Sequence, residues 1–284
     1  MNLVVLAGDV DSVALKNVAK LTETREIEQI TTRSFRLVGA KPHEALVATC
    51  AEGGLDHVWL PEGRQLRDFG LFVTDMDSTL INIECIDEIA DMQGLKREVA
   101  AITEAAMQGE IDFRESLTRR VALLAGLPES ALAEVFDHRL QLNPGAQTLV
   151  QACKAAGLKV LLVSGGFTFF SERVRQTLGI DFTRANVLEV ESGPNCGQLT
   201  GRMVDQPWGD ICDGAEKRRT LLEVASLLDI APSECIAMGD GANDLPMMGV
   251  AGLSVAYHAK PTVRAQAMVA INEGGLDRLL EVLR

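Results

Sequence analysis

Two carboxylates one residue apart, Asp75 and Asp77, stand in LFVTDMDSTL, directly after the apolar run Leu71-Phe72-Val73 and just before Ser78 and Thr79. Like charges that close repel, so the pair is either a solvated turn or a site for a cation. Two further stretches of the same kind decide between these. LKVLLVS, from Leu158, runs into Gly165-Gly166 after Ser164, and ECIAMGD, from Glu234, runs through Gly239 and Asp240 into Gly241-Ala242-Asn243-Asp244. Each is a strand-like apolar run that finishes on acids, a hydroxyl, an amide or glycines. In an open parallel sheet ligands bind beyond the carboxyl ends of the strands, so three tips deliver their polar residues to one crevice. A solvated turn explains one such tip, not three.

The residue types narrow the chemistry. Several carboxylates in a chain with only 4 His favour a hard, oxygen-seeking cation, Mg²⁺ rather than Zn²⁺. The glycines after Ser164 free backbone N–H groups to approach an anion. Lys217, in GAEKRRTL, supplies a fixed positive charge, with a solvated basic face formed with the adjacent Arg218 and Arg219 as the lesser alternative. Ser164 can also cap a helix beginning at Phe167, and Asp244 can cap the turn that follows it. Carboxylates, a hard cation, a lysine and an amide nest together describe phosphoryl transfer.

Those residues need a frame to hold them. From Leu71 onward the pattern alternates apolar strands, at 71, 158, 234 and 253, with helices, which fits a parallel sheet covered on both faces. The helix PGAQTLVQACKAAG opens with Pro144 and closes on Gly157, the expected start and stop residues. Between the first strand and this helix the chain carries four helical stretches, at about 82–140. That is too long for an ordinary crossover and predicts a helical cap inserted in the core. SGPNCGQLTGR predicts a hairpin over 193–202. Residues 1–68 read as a separate small α/β module, with LVVLAG a strand, Ser12 to Leu21 a helix, SFRLVGA and ALVATCA further strands, and Pro61 to Asp68 a linker. The division expected is therefore 1–68 and 69–284.

Composition excludes whole classes. The chain has 284 residues, 27 Lys plus Arg against 40 acids and a net charge of −13, so neither nucleic acid nor an anionic membrane is the expected partner. The 6 Cys show no CxxC spacing, which predicts reduced thiols and a cytoplasmic protein. No stretch approaches the ~18 apolar residues of a membrane span.

DMDSTLINIECIDEIA, SGGF, Lys217 and GDGANDLPMM, in that order at strand ends, resemble the haloacid dehalogenase (HAD) superfamily and, within it, the phosphoserine phosphatase branch. The resemblance spans residues 71 to 284 and implies a Rossmann-like HAD core with an inserted helical cap. It implies Asp75 as nucleophile, forming an aspartyl-phosphate, and Asp77 as the acid and then the base. A carboxylate meeting a phosphate is opposed by about 4 kcal/mol per unit-charge pair at ~4 Å and an effective dielectric near 20. Mg²⁺ held by Asp75, Asp240 and the Asp77 main chain would offset this, with Lys217. Ser164 and the Gly165 N–H would bind phosphoryl oxygens, Asn243 would touch the phosphate or the metal's surroundings, and Asp244 would orient Lys217 or a bound water. In the cap, Glu84 would take a substrate ammonium and Arg120 its carboxylate, Arg119 facing water, while Met107 and Phe113 would shield the site unless they are simply core. The implied reaction is hydrolysis of O-phospho-L-serine, the last step of serine synthesis, gated by cap motion. Phosphoryl transfer to a second alcohol such as homoserine, and a non-catalytic amino-acid sensor, are the alternatives. Residues 1–68 would regulate or pair the chain, with only a vague likeness to ACT-type modules, and the oligomeric state stays open.

Overall fold

The structure is a computed structural model describing residues 1–284 apart from 109, 194, 195, 207, 208 and 210, with the backbone alone at Met107. The side chain of Met107 and the Pro194-Asn195 part of the expected hairpin thus lie outside the described residues.

The first unit is β1 (Asn2–Leu6), α1 (Ser12–Leu21), β2 (Glu26–Thr31), β3 (Ser34–Val38), α2 (Leu46–Glu52) and β4 (Asp56–Leu60), with an antiparallel sheet in the order β2-β3-β1-β4. This is the split β-α-β topology. Helix α1 starts where the Asp11 carboxylate accepts from the N–H groups of Val13 and Ala14. ALVATCA, expected as a strand, is instead α2: Leu46 and Cys50, four apart, are its buried residues. A short apolar run suits either period, and here packing on α1 selected the helix. Strands β2 and β4 carried no usable signal, since β2 is an edge strand whose first four residues are exposed.

The core begins with β5 (Leu71–Thr74), buried throughout. The cap follows as α3 (Cys85–Asp91), α4 (Lys96–Met107), α5 (Phe113–Ala122) and α6 (Ser130–His138). The chain returns through α7 (Ala146–Ala155), β6 (Lys159–Phe167), α8 (Thr168–Leu178) and β7 (Phe182–Asn186) to a hairpin of β8 (Leu188–Val190) and β9 (Leu199–Met203). Then come α9 (Gly214–Leu227), β10 (Cys235–Gly239), α10 (Leu245–Met248), β11 (Leu253–Tyr257), α11 (Pro261–Arg264), β12 (Val269–Ile271) and α12 (Arg278–Val282). Six of the described strands form a parallel sheet in the order β12-β11-β10-β5-β6-β7. The order steps outward in both directions from β10 and β5, so their tips flank the crevice.

Two joints matter for function. The cap is tethered by strands that run side by side: the Asn82 N–H donates to the Gln141 carbonyl (3.0 Å), and the Asn143 side chain ties the carbonyls of Thr79 and Ile81. Farther out, the Gly126 N–H donates to the Leu199 carbonyl at 2.8 Å and Leu199 returns one to Leu127 at 2.7 Å, so the β8–β9 hairpin grips the cap. The N-terminal module is joined to the core through Val4, Leu6, Val58 and Leu60, which enter the main hydrophobic core. Arg278 of α12, 2% exposed, donates to the Ala7 and Arg33 carbonyls and so satisfies its buried charge while bridging the units.

Candidate active site

Asp75 caps the tip of β5. Its N–H donates to the Met238 carbonyl of β10 (3.0 Å), which fixes its position between the two strands. Beyond it the chain turns sharply: Ser78 takes φ 55°, a left-handed conformation costly for a side-chain-bearing residue. The turn is held by the Ser78 N–H on the Ile83 carbonyl (3.1 Å) and by the Ser78 hydroxyl on Glu84 (2.7 Å). That second bond fixes the Glu84 carboxylate just ahead of α3.

Lys217 enters from the first turns of α9, fully buried, and its Nζ lies 2.8 Å from Asp75 and 2.7 Å from Asp244. Burial works against its charge, yet the carboxylates of Asp244 and Asp75 outweigh burial and push its pKa up. Asp244, also fully buried, spends its other oxygen on the N–H groups of Asp240 (3.2 Å) and Gly241 (3.0 Å). It therefore builds the loop after β10 and aims Lys217 at Asp75. The solvated-face reading of Lys217 is overturned by its burial.

Asp240 accepts from the Thr79 hydroxyl at 3.1 Å, and burial followed by the Asp244 charge raises its carboxyl to about 7. Asp77 accepts from the Cys85 N–H at 3.2 Å, and burial followed by the Glu84 charge raises it to about 7 as well. A Cβ on Gly166 would stand 2.5 Å from its Oδ2, so a side chain there would displace the acid. Burial, then the Asp244 charge, also raises Asp75 well above the usual carboxylate range.

Carboxylate oxygens of Asp75, Asp240 and Asp244 lie within 4.8 Å of one another, against one buried lysine. That charge excess suits a divalent cation, and the all-oxygen donor set suits a hard one. Both Asp244 oxygens are engaged, whereas Asp75 and Asp240 each keep an oxygen with no protein partner among the described residues. The Asp77 side chain is not in this cluster.

These groups open into a cavity of about 490 Å³. Its floor holds Asp75, Asp77, Gly165, Asp240 and Asn243; its cap wall holds Glu84, Phe113 and Arg120. The wall rests on the floor: a Cβ on Gly165 would meet the Phe113 ring at 2.9 Å, and Arg114 lies 3.6 Å from Asp213 across the joint. Arg119, next to Arg120, turns outward to Glu115 at 2.5 Å. Ser164 is fully buried and does not line the cavity; its Oγ accepts from the Gly166 N–H at 2.8 Å. It does not cap a helix: β6 runs on through Phe167, its pairing with β7 shifting register, and α8 starts at Thr168.

Several residues of the site carried no assignment from sequence. Ser78, which lines the cavity, and Thr79, buried against Asp240, both sit inside the acidic motif. Asp87 stands three residues after Glu84 on the face that lines the cavity, a helical spacing that could have flagged it. Lys260, between β11 and α11, lines the floor with no neighbouring signal at all.

The haloacid dehalogenase-like hydrolase family matches residues 72–249, and residues 3–46 match a family described as a domain of unknown function. A phosphoserine phosphatase of Polaromonas sp. is 71% identical over 221 residues, 78% of this chain and 92% of the relative. A probable phosphoserine phosphatase from Vibrio cholerae, unliganded, aligns with TM-score 0.83 at 36% identity, over 99% of this chain and 86% of that one. A phospho-aspartyl intermediate analogue of phosphoserine phosphatase aligns with TM-score 0.69 at 35% identity, over 76% of this chain and 99% of that one. The chain belongs to the haloacid dehalogenase-like hydrolases, in the branch formed by its phosphoserine phosphatase relatives.

Proposed function

We propose that this chain hydrolyses O-phospho-L-serine to serine and phosphate, with Asp75 as nucleophile and Mg²⁺ as cofactor. One observation carries this: a single cavity has the Asp75–Lys217 pair at its floor and, on its cap wall, one acid and one arginine, Glu84 and Arg120. A phosphate monoester that is also a zwitterion matches both ends. The relative that is 71% identical bears the corresponding name.

An Asp75 oxygen attacks phosphorus and the bond to the serine oxygen breaks, leaving the phosphoryl group on Asp75. Asp77, whose carboxyl is pushed to about 7 and so is protonated in about half of the molecules at neutrality, gives that proton to the departing oxygen. The resulting carboxylate then takes a proton from water as the water attacks phosphorus, which frees Asp75 and phosphate. Lys217 holds Asp75 in line and balances charge, while the Gly165 N–H binds phosphoryl oxygens; Ser164, buried behind the cavity, acts by holding the Gly166 N–H and so shaping this turn. Asp75, Asp240 and the Asp77 main chain would hold Mg²⁺, which when bound would supply positive charge that lets a carboxylate meet a phosphate. Glu84, already oriented by Ser78, takes the ammonium, and Arg120 the carboxylate. Phe113 excludes water over the acyl phosphate.

No described helix is long and apolar enough to cross a membrane, and the six cysteines are free, five of them buried. Both suit a cytoplasmic enzyme of serine synthesis. Residues 1–68 contribute nothing to the cavity lining, which supports a regulatory or pairing role for them.

The test is phosphate release from O-phospho-L-serine with Mg²⁺, after chelation, and with homoserine added. Fast release that chelation stops is the expected result. Serine formed only when homoserine is present, with O-phosphohomoserine and no free phosphate beside it, would make the chain a phosphotransferase, and neither product under any condition would end the reading.

A further inference from the structure

Three acids or bases on the cap wall have unequal company. Glu84 already receives the Ser78 hydroxyl at 2.7 Å. Asp87, one turn along α3, lines the same cavity, yet its Oδ1 is shut off from solvent and has no hydrogen-bond partner among the described residues. Arg120, reaching in from α5, makes one long contact, Nε to the Ser116 carbonyl at 3.4 Å, and its two terminal nitrogens are without described partners. The other cations of this side of the cap are engaged elsewhere: Lys96 lies 3.8 Å from Asp91, and Arg139 holds both Glu88 and Asp91. An acid and a cation that each lack a partner thus stand in one wall.

We propose that Asp87 is a positioning residue for Arg120: with substrate bound, its carboxylate accepts from the guanidinium and holds that planar fork in register with the substrate carboxylate. The role rests on the phosphoserine reading above. A substrate ammonium is the other group an acid here would suit, but Glu84, already oriented by the Ser78 hydroxyl, takes that place. Rotation of the Arg120 side chain would bring its guanidinium to the Asp87 carboxylate. Burial raises the Asp87 carboxyl, and the first charge to oppose that rise is Arg120. A guanidinium fixed on one edge presents its remaining N–H pair in a single plane, which a bidentate grip requires.

The test is steady-state kinetics of the full chain as wild type, Asp87→Asn, Asp87→Glu, Arg120→Ala and the double variant Asp87→Asn/Arg120→Ala. The substrate is O-phospho-L-serine, and phosphoethanolamine, which has the ammonium but no carboxylate, is read as a competitive inhibitor. Asp87→Asn should raise KM for phosphoserine about tenfold, with kcat within about twofold. Its inhibition constant for phosphoethanolamine should match wild type, and Asp87→Glu should recover part of the loss. The double variant should be no worse than Arg120→Ala alone, because the two residues act as one unit. Weaker phosphoethanolamine binding, or losses that add in the double variant, would overturn the role and make Asp87 an ammonium ligand or a structural acid. A wild-type chain that ignores phosphoserine would overturn the reading beneath it, and this role with it.

Discussion

At the floor of the cavity, Asp75, Lys217, Asp244 and Asp240 hold one another through contacts of 2.7 to 3.2 Å and are largely buried. On the cap wall, among the described residues, Glu84 has one side-chain tether, Arg120 one long bond and Asp87 none for its buried oxygen. Asp75 and Asp240 follow strand tips of one sheet and Lys217 reaches them from α9, whereas the wall residues belong to cap helices joined to that sheet by paired tethers and a hairpin. The difference separates two tasks. Chemistry needs groups set before the substrate arrives, because reorganisation during the reaction is costly. Selection tolerates, and a closing cap requires, groups that finish their contacts on the substrate.

The largest expected effect is at the floor. Asp75→Asn should lower kcat by at least about 1,000-fold while leaving the melting temperature near that of wild type. A variant retaining a tenth of the activity would mean the nucleophile lies elsewhere. Lys217→Met comes next, since it strands two buried carboxylates. A loss of about 3–5 kcal/mol in unfolding free energy is expected, with activity falling alongside. Denaturant unfolding with unchanged stability would show that the floor is less tightly coupled than its distances imply.

A smaller effect is a pH dependence that the bound metal removes. Asp77 and Asp240 ionise at about 7 in the folded chain against ~4 in the unfolded one, so the folded state binds more protons between these values. Their contribution is neutral below pH ~4 and becomes destabilising as pH rises through about 7. In chelator the melting temperature should fall between pH 5.5 and 7.5, and the rise on adding Mg²⁺ should be larger at 7.5. An equal rise at both pH values would contradict a metal seated on these acids. Smallest of all is Arg119→Ala, which removes an exposed pair worth about 0.5 kcal/mol and should leave kcat/KM within about twofold.

The floor was legible in the sequence because it is local: a strand followed at once by its polar tip needs no knowledge of the rest of the fold. Lys217 was the exception, ambiguous beside Arg218 and Arg219 until its burial distinguished it. The wall was legible only through resemblance, since Arg120 and Glu84 come together through packing of α3 against α4 and α4 against α5. Asp87 and Lys260 acquire meaning only once the cavity exists. The same division runs through the fold. Strands β5, β10 and β11, buried throughout and mostly apolar, were plain, whereas β7 hides Arg184 in its middle, paired with Glu216 at 3.1 Å, and gave no apolar run. Strand β12 has three residues, too few for a period. ALVATCA misled because seven residues of mixed small and apolar side chains satisfy both periods until α1 supplies a partner.

The measurement that tests the division most directly is kcat/KM of wild type and Arg120→Ala on two substrates, O-phospho-L-serine and p-nitrophenyl phosphate, at saturating Mg²⁺. A loss of about 100-fold on phosphoserine with little change on the nitrophenyl ester is predicted, because the floor does not use Arg120. An equal loss on both would show that the wall takes part in the chemistry, and the separation of floor from wall would fall.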